Sequence, residues 1–276
     1  MTIDGALNQA KKILVGTDSP ALDAQILLCH VFKCQLAYVH AWPDQVLTGE
    51  QKTAFELLLA ERQAGKPIAH IIGERGFWSF DLKVTSDTLI PRPDTELLVE
   101  LALARISPAM TIADLGTGSG AIALALAKEH PDIKVIATDY STAALKVAKE
   151  NAEQLKLSNI FFCQGYWCQA ITSESFDLIV SNPPYIEEND PHLLRGDIRF
   201  EPVSALASGP DGLNDIREIV TESVHCLKSA GWLLIEHGYH QSDAVTMLFA
   251  EAGFKNIIAE RDLGGQDRVV LGQLPV

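Results

Sequence analysis

From Thr111 to His130 the chain passes from a short apolar strand, Thr111 to Leu115, through Gly116, Thr117, Gly118, Ser119 and Gly120, and directly into the helical run Ala121 to His130. Strand, glycine turn and helix in that order leave few folds open and fit a nucleotide-type cofactor. Glycine lets the backbone turn tightly and come close to a ligand, while the free N–H groups at the helix start face the ligand's polar part. Alone, Gly-x-Gly-x-Gly is a weak signal. It gains weight from a second apolar strand, Ile133 to Thr138, which ends at Asp139, nineteen residues beyond Gly120. A carboxylate at that distance can accept hydrogen bonds from both ribose hydroxyls of an adenosine. An isolated Asp here would read as the N-cap of a helix starting near Ser141, but the paired spacing favours the ligand role.

A third station follows the apolar run Phe176 to Ser181, where Asn182, Pro183, Pro184 and Tyr185 place a carboxamide and an aromatic ring at the end of a buried strand. Open α/β sheets do their chemistry at such strand ends. Two consecutive prolines lack N–H groups and fix φ, so the chain must leave the sheet there. An arbitrary Asn-Pro dipeptide is usually only a turn; the upstream loop and Asp139 reverse that preference.

The three stations resemble the class I methyltransferases that use S-adenosylmethionine, and Asn182 to Tyr185 resembles the branch that methylates planar nitrogen. Further segments narrow the match: Leu89 to Glu96, Asp190 to His192, Arg199 to Pro202, Gly209 to Leu213, and Glu236 to Gly238. Together they resemble the release-factor glutamine methyltransferases, the PrmC/HemK family, over most of the chain. The resemblance implies an α/β fold, a class I methyltransferase Rossmann-like seven-stranded sheet with a small N-terminal α-helical bundle domain. It implies methyl transfer to the side-chain amide nitrogen of glutamine in the Gly-Gly-Gln tripeptide of peptide chain release factors. It assigns Gly116 to Gly120 to the methionine and ribose part of the cofactor, Asp139 to the ribose and Trp167 to the adenine flank, with Asn182 touching cofactor and substrate. Asn182, Pro183 and Tyr185 would be catalytic, and Asn182 to Tyr185 would bind the substrate. One departure falls at Tyr166, where family members commonly carry an acid, so a carboxylate contact to the adenine amino group is not carried over.

The residue chemistry suits that reaction. An amide nitrogen is a poor nucleophile because its lone pair is delocalised, so holding and orienting it is the main lever. The Asn182 side-chain oxygen and the Pro183 carbonyl are acceptors for the two amide hydrogens, and Tyr185 can pack on the flat carboxamide. Positive charge then leaves sulfur and moves toward nitrogen, where those acceptors lie.

The net charge of −14 is unevenly spread, −2 over residues 1–90 and −12 over the remainder. Phosphate backbones are held by Lys and Arg, so an acidic catalytic region favours a protein substrate over direct contact with nucleic acid. The five cysteines, at 29, 34, 163, 168 and 226, include no C-x-x-C pair, which suggests neither a disulfide framework nor a zinc site. No run approaches the ~20 apolar residues of a membrane span and no secretory leader pattern opens the chain. A monomeric, cytoplasmic protein is the default, with no membrane partner.

The expected domains are a helical bundle over 1–73 that docks the protein substrate, a β-hairpin linker over 74–90 and the methyltransferase domain over 91–276. Ser19 and Pro20 read as N-cap and first helical residue, Thr48 and Gln51 as a capping box, and Gly65 as a helix stop. Phe77, Trp78, Phe80, Leu82 and Val84 mark the hairpin, and Asp94 reads as the cap of a helix through Ile106. The long connection Ile186 to Leu213 is expected to cover the substrate. Beyond it come a helix near Asp215 to Leu227, the strand Trp232 to Glu236, a helix to Ala252 and two closing strands. His237, a lone histidine at a strand end, reads as structural. Gly264, Gly265 and Gln266 spell the family's target tripeptide, but a glycine turn between the last two strands explains them. A nicotinamide oxidoreductase shares the glycine turn and Asp139 yet leaves Asn182 to Tyr185 without a role. A non-catalytic cofactor-binding protein would have lost Asn182 or Tyr185. An adenine methyltransferase acting on nucleic acid is the related alternative.

Overall fold

Apolar residues at helical spacing over the first 74 positions become, in the computed structural model of the chain, the helices α1 (Ile3–Ile13), α2 (Pro20–Phe32), α3 (Leu36–Ala41), α4 (Gly49–Gln63) and α5 (Ile68–Ile72). The structure describes residues 1–171 and 173–276. Ile3, Leu7, Leu27, Leu28, Phe55 and Leu59 meet in the core of this unit. Thr48 and Gln51 form the reciprocal capping box at the start of α4. Ser19 stands at the N-cap position of α2, but its hydroxyl bonds Asp23 Oδ1 rather than a backbone amide. The reason is local: Asp23 is buried and its other oxygen already receives Arg62 Nε at 2.8 Å. Arg62 also donates to the Lys66 carbonyl and, at 2.8 Å, to Asp197 Oδ1. Asp197 lies in Arg195–Phe200, which groups with Met1–Glu74 as one unit, while Arg75–Leu194 and Glu201–Val276 form the other. The connection Ile186 to Leu213 is therefore divided between units rather than a single loop.

In the larger unit, β1 (Glu74–Phe77) pairs with β2 (Phe80–Lys83). The segment expected to be a hairpin linker over 74–90 is thus paired only to Lys83, and residues 84–90 continue as irregular chain. Nor is the hairpin a free connector. Trp78 N–H donates to Glu96 Oε1 and Trp78 Nε1 to Glu129. Lys83 exchanges both backbone groups with the Asn151 amide, whose nitrogen also reaches the Ser119 carbonyl at 2.8 Å. Asn151→Ala orphans three backbone groups, and a destabilisation of about 2 kcal/mol is expected in urea denaturation.

The main sheet has the order β5-β4-β3-β6-β7-β9-β8. Its strands are β3 (Thr111–Leu115), β4 (Lys134–Asp139), β5 (Ile160–Gln164), β6 (Phe176–Ser181), β7 (Leu227–Glu236), β8 (Lys255–Arg261) and β9 (Asp267–Gln273). The pairs among β3 to β7 are parallel, and β9 runs antiparallel to both β7 and β8. Its helices are α6 (Glu96–Leu103), α7 (Ala121–Glu129), α8 (Thr142–Gln154), α9 (Asn214–Cys226) and α10 (Ser242–Glu251). Residues 121–127 of α7 are all buried. Alternating Ala with Leu and Ile lets that helix lie close against the sheet, in one buried cluster that also includes the hairpin residues Phe77 and Leu82.

Two sequence expectations need correction. Asp94 does not cap the helix; a 3-10 turn, Pro93–Thr95, precedes α6, and the Asp94 carboxylate faces Arg268 at 3.4 Å. The fixed φ of Pro93 starts that turn one step early, so Asp94 is already inside it. The strand expected over Trp232 to Glu236 begins at Leu227, with a register shift opposite Phe176/Leu178 and Ala230 at φ +60°. Gly231 and that left-handed residue hide the strand's first half from a pattern of alternation.

Candidate active site

Leu115 pairs with Thr138 on one side and with Ser181 on the other. Three adjacent strands therefore end level, and chain order reverses between β3 and β6. This is the switch point at which open α/β sheets form their ligand crevice. Ser181 Oγ donates to the Leu115 carbonyl at 2.8 Å, pinning two of those ends together. The glycine loop leaves the middle strand, Asp139 closes β4 and Asn182 follows β6.

The loop is built from backbone restraints. Gly116 and Thr117 N–H groups share the Thr138 carbonyl. Gly118 N–H donates to Asp139 Oδ2 and Ser141 N–H to Asp139 Oδ1, both at 2.9 Å. The cap of α8 is Ser141, whose hydroxyl accepts from Ala144 N–H, so Asp139 is left to hold the loop. Its pKa is raised by burial, against those two N–H groups. Gly116 and Gly118 have φ of +74° and +57°. A Cβ at Gly116 would lie 2.9 Å from the Trp167 ring, whereas one at Gly118 would meet nothing within 4 Å. Beneath the loop Asp114, fully buried, takes the Thr117 hydroxyl at 2.6 Å and Ala123 N–H on one oxygen. Burial pushes its carboxyl up to about 7. A carboxylate inside an apolar strand is the sequence signal that marks Asp114.

Trp167 lies flush on Gly116, with Nε1 donating to Asp215 Oδ1 at 3.1 Å. Tyr166 OH donates to the same oxygen at 2.9 Å, and its ring stands edge-on to Tyr140, with centroids 6.4 Å apart. Tyr166 is thus bound to a carboxylate brought from the first turn of α9. Ser208 fixes the other Asp215 oxygen. Sequence spacing gave no sign of Asp215, which is 48 residues from Trp167.

On the opposite wall Asn182 Nδ2 donates to Thr95 Oγ1 at 3.0 Å, leaving Oδ1 as the free acceptor of that amide. Tyr185 OH reaches Glu236 Oε1 at 3.3 Å. Burial holds the Tyr185 phenol above its ordinary range and pushes the Glu236 carboxyl up to about 7. Arg92 pairs with Glu201, whose other oxygen accepts from Ile90 N–H. His237 is fully buried, bonded to the Gly238 carbonyl through Nδ1, and its pKa is lowered by burial.

These groups surround a cavity of about 530 Å³, within the range of small-molecule sites. Of the residues singled out from sequence, Gly116, Thr117, Gly118, Ser119, Asp139, Trp167, Asn182 and Pro184 form its wall; Gly120, Pro183 and Tyr185 do not. Gly120 turns into α7, where a Cβ would be 2.8 Å from Leu124. Thr95, Arg92, Tyr140, Tyr166 and Asp215 also line the cavity. A carboxylate, a flat indole and an open glycine edge in one cavity fit an adenosine-bearing cofactor. Among the described residues, no group of three His, Cys, Asp or Glu is arranged to hold a metal ion.

Comparison with known proteins gives two family matches, the PrmC N-terminal domain over residues 5–73 and a methyltransferase domain over residues 106–262. The release factor glutamine methyltransferase of Vibrio cholerae serotype O1 is 53% identical, covering 99% of this chain and 97% of that protein. The protein of the same name from Escherichia coli K12 is 47% identical, covering 97% of each. Among solved structures, a methyltransferase from Pyrococcus furiosus superposes with a TM-score of 0.55 at 17% identity, covering 79% of this chain and 98% of that one. The fold is shared with a ribosomal protein L11 methylase from Lactobacillus delbrueckii subsp. bulgaricus, with a TM-score of 0.53 at 21% identity over 69% and 82% of the two chains.

Proposed function

The chain belongs to the release factor glutamine methyltransferases, and from that premise we propose how its residues carry the reaction. It is a protein methyltransferase that acts on glutamine in release factors. The acceptor we assign is the side-chain nitrogen of the Gln in Gly-Gly-Gln, and the donor is S-adenosylmethionine. The observation that carries this reading is Asn182 at the cavity wall, with its nitrogen tied to Thr95 and its oxygen left as acceptor.

When bound, the cofactor supplies an electrophilic methyl on a sulfonium. The chain's own residues do the rest. Gly116 to Ser119 receive the methionine and ribose part, Asp139 accepts from the ribose, and Trp167 flanks the adenine. Asn182 Oδ1 and the Pro183 carbonyl accept hydrogen bonds from the two amide N–H groups of the glutamine and turn its nitrogen toward the methyl. The same acceptors stabilise the positive charge as it arrives on nitrogen, which then releases one of its two hydrogens as a proton to water. Tyr185, outside the cavity wall and anchored through Glu236, packs against the flat carboxamide together with Pro184. We assign docking of the protein substrate to the helical bundle, residues 1–73, where Trp42, Val46 and Leu57 are exposed. The acidic balance of residues 91–276 favours that protein partner over a phosphate backbone. No helix among the described residues is long and apolar enough to cross a membrane, and a cytoplasmic, monomeric enzyme is consistent with this reading.

The test is mass spectrometry of a purified release factor incubated with the protein and labelled S-adenosylmethionine. A single methyl on the Gln of Gly-Gly-Gln is expected. Label found only on adenine of added nucleic acid would overturn the reading in favour of the related base methylation.

A further inference from the structure

The segments Gly209 to Leu213 and Glu236 to Gly238 stand out in the sequence, yet neither forms part of the cavity wall. Both converge on one side chain, Gln241, at the N-cap of α10. Its Oε1 accepts from Gly238 N–H at 2.9 Å. Its Nε2 donates to the Tyr185 carbonyl at 3.0 Å and to the Asp211 carbonyl at 3.3 Å. A primary amide offers one acceptor oxygen and two N–H donors, and here one backbone N–H and two backbone carbonyls meet them. The partners therefore fix which way the amide points, since a flipped amide would set N–H against N–H and oxygen against two carbonyls. The Gln241 backbone N–H is itself tied to the Gly238 carbonyl at 2.8 Å.

The chain leaves room for this clamp. At Gly212, with φ of +72°, a Cβ would stand 2.2 Å from the Tyr185 carbonyl oxygen and 2.8 Å from Gln241 Nε2. At Gly238 a Cβ would stand 3.0 Å from Gln241 Oε1. Two of the glycines in those segments are thus required by contact with Gln241 and Tyr185, not by the cofactor.

The clamped carbonyl closes the segment Asn182 to Tyr185. Upstream of it, Ser181 is pinned to Leu115. Downstream, the peptide joining Tyr185 to Ile186 is held on both edges, its N–H by the Leu206 carbonyl at 2.9 Å and its C=O by Gln241. Between these anchors Pro183 and Pro184 have fixed φ and no N–H, so the segment behaves as a stiff strap whose course depends on how its ends are held. Leu206 grips only the N–H edge. Without Gln241 the peptide can tilt about that edge, and the stiff prolines pass the tilt to the Pro183 carbonyl and to Asn182.

We propose that Gln241 is a positioning residue for methyl transfer: by gripping the Tyr185 carbonyl against Gly238 and Asp211, it sets the direction of the acceptors at Asn182 and Pro183. The proposal rests on the roles given to those two residues above. Gln241 acts through Tyr185 and does not touch the reacting atoms. The cofactor side of the cavity has restraints of its own, Asp139 on the glycine loop and Asp215 on Trp167, so its affinity should be insensitive to Gln241.

The experiment uses the full-length protein, a purified release factor and labelled S-adenosylmethionine. Gln241→Glu keeps the size of the side chain and an acceptor for Gly238, but at about pH 8.5 its ionised second oxygen faces two carbonyls instead of donating to them. Gln241→Met keeps the length and removes all three side-chain hydrogen bonds. In both, kcat should fall by about tenfold or more, toward the ~10²-fold cost of misplacing a catalytic group. The cofactor dissociation constant and the binding stoichiometry from calorimetry should stay at wild-type values; a folding defect would lower the stoichiometry. The Asn182→Ala background supplies the second readout. There Gln241→Met should cost at least about threefold less than it does in wild type, because one of the acceptors it positions is gone. A loss of folded enzyme would instead multiply in full. In both variants, kcat within about threefold of wild type, or a fall accounted for by lost stoichiometry, would overturn the proposal, as would full multiplication with Asn182→Ala. If Asn182→Ala alone turns over normally, the underlying assignment of Asn182 fails; if it is impaired while both Gln241 variants are normal, only the positioning role fails.

Discussion

Asn182→Ala lowers turnover of release factor by roughly 10²- to 10³-fold, the loss typical of removing one preorganised polar group from a transition state. The cofactor dissociation constant changes by less than about threefold, because most of the contacts that would hold it are made by other residues. The reasoning runs through the strand ends. Asn182 follows β6, whose last residue is pinned to Leu115 by Ser181, so its backbone does not depend on its side chain. Its amide nitrogen is tied to Thr95, and truncation removes the acceptor without disturbing Asp139, Trp167 or the glycine loop. Single-turnover rates with isotopically labelled cofactor, together with equilibrium binding by calorimetry, read the two quantities separately. Turnover within about threefold of wild type would remove Asn182 from the chemistry.

Gly116→Ala has the opposite signature: cofactor affinity falls by 10²-fold or more, with the chemistry at Asn182 left in place. Two costs add at this position. A φ of +74° costs a residue with a side chain about 1–2 kcal/mol. The new methyl also lies 2.9 Å from the Trp167 ring. That ring cannot simply retreat, since Nε1 is fixed by Asp215 and Asp215 by Ser208. Either the loop or the indole must move, and both line the cavity. Gly118→Ala serves as the comparison in the cofactor-free protein, where its Cβ meets no atom of the chain within 4 Å and only the backbone strain remains. It should lower the thermal midpoint of the cofactor-free protein clearly less than Gly116→Ala does. Equal losses would mean that the indole contact is unimportant.

The sequence carried the stations that are local. Strand, glycine loop, helix and the terminal Asp139 lie within one stretch, and the periodicity of Thr111 to Thr138 reflects burial that the structure repeats strand by strand. Asn182 was legible because two prolines after an apolar run must end a strand. Thr95, Tyr140, Glu236 and Asp215 were not read as site residues. Each is ordinary in its own neighbourhood and meets the site only after the sheet has brought distant segments together, as the 87-residue separation of Thr95 from Asn182 shows. Asp94 was misread for a related reason. An Asp before an apolar helix is a good cap by local rules, but Arg268, far along the chain, faces its carboxylate instead. The early start of β7 was hidden because the bulge near Ala230 breaks the alternation on which strand recognition depends.

The union of Arg195–Phe200 with the first 74 residues has a consequence for the order in which the protein is made. Arg62 and Asp23 are buried together early in the chain, yet the second carboxylate bound by that guanidinium, Asp197, is 135 residues away. At about 5–20 residues per second, a ribosome completes that interval in roughly 7 to 27 seconds. Throughout that time the small helical unit lacks one of its own parts. A fragment ending at residue 74 copies this waiting state and not the finished unit. Its lower stability, and its recovery on adding a peptide spanning 195–200, would report how far the end of synthesis, rather than its beginning, completes the amino-terminal fold.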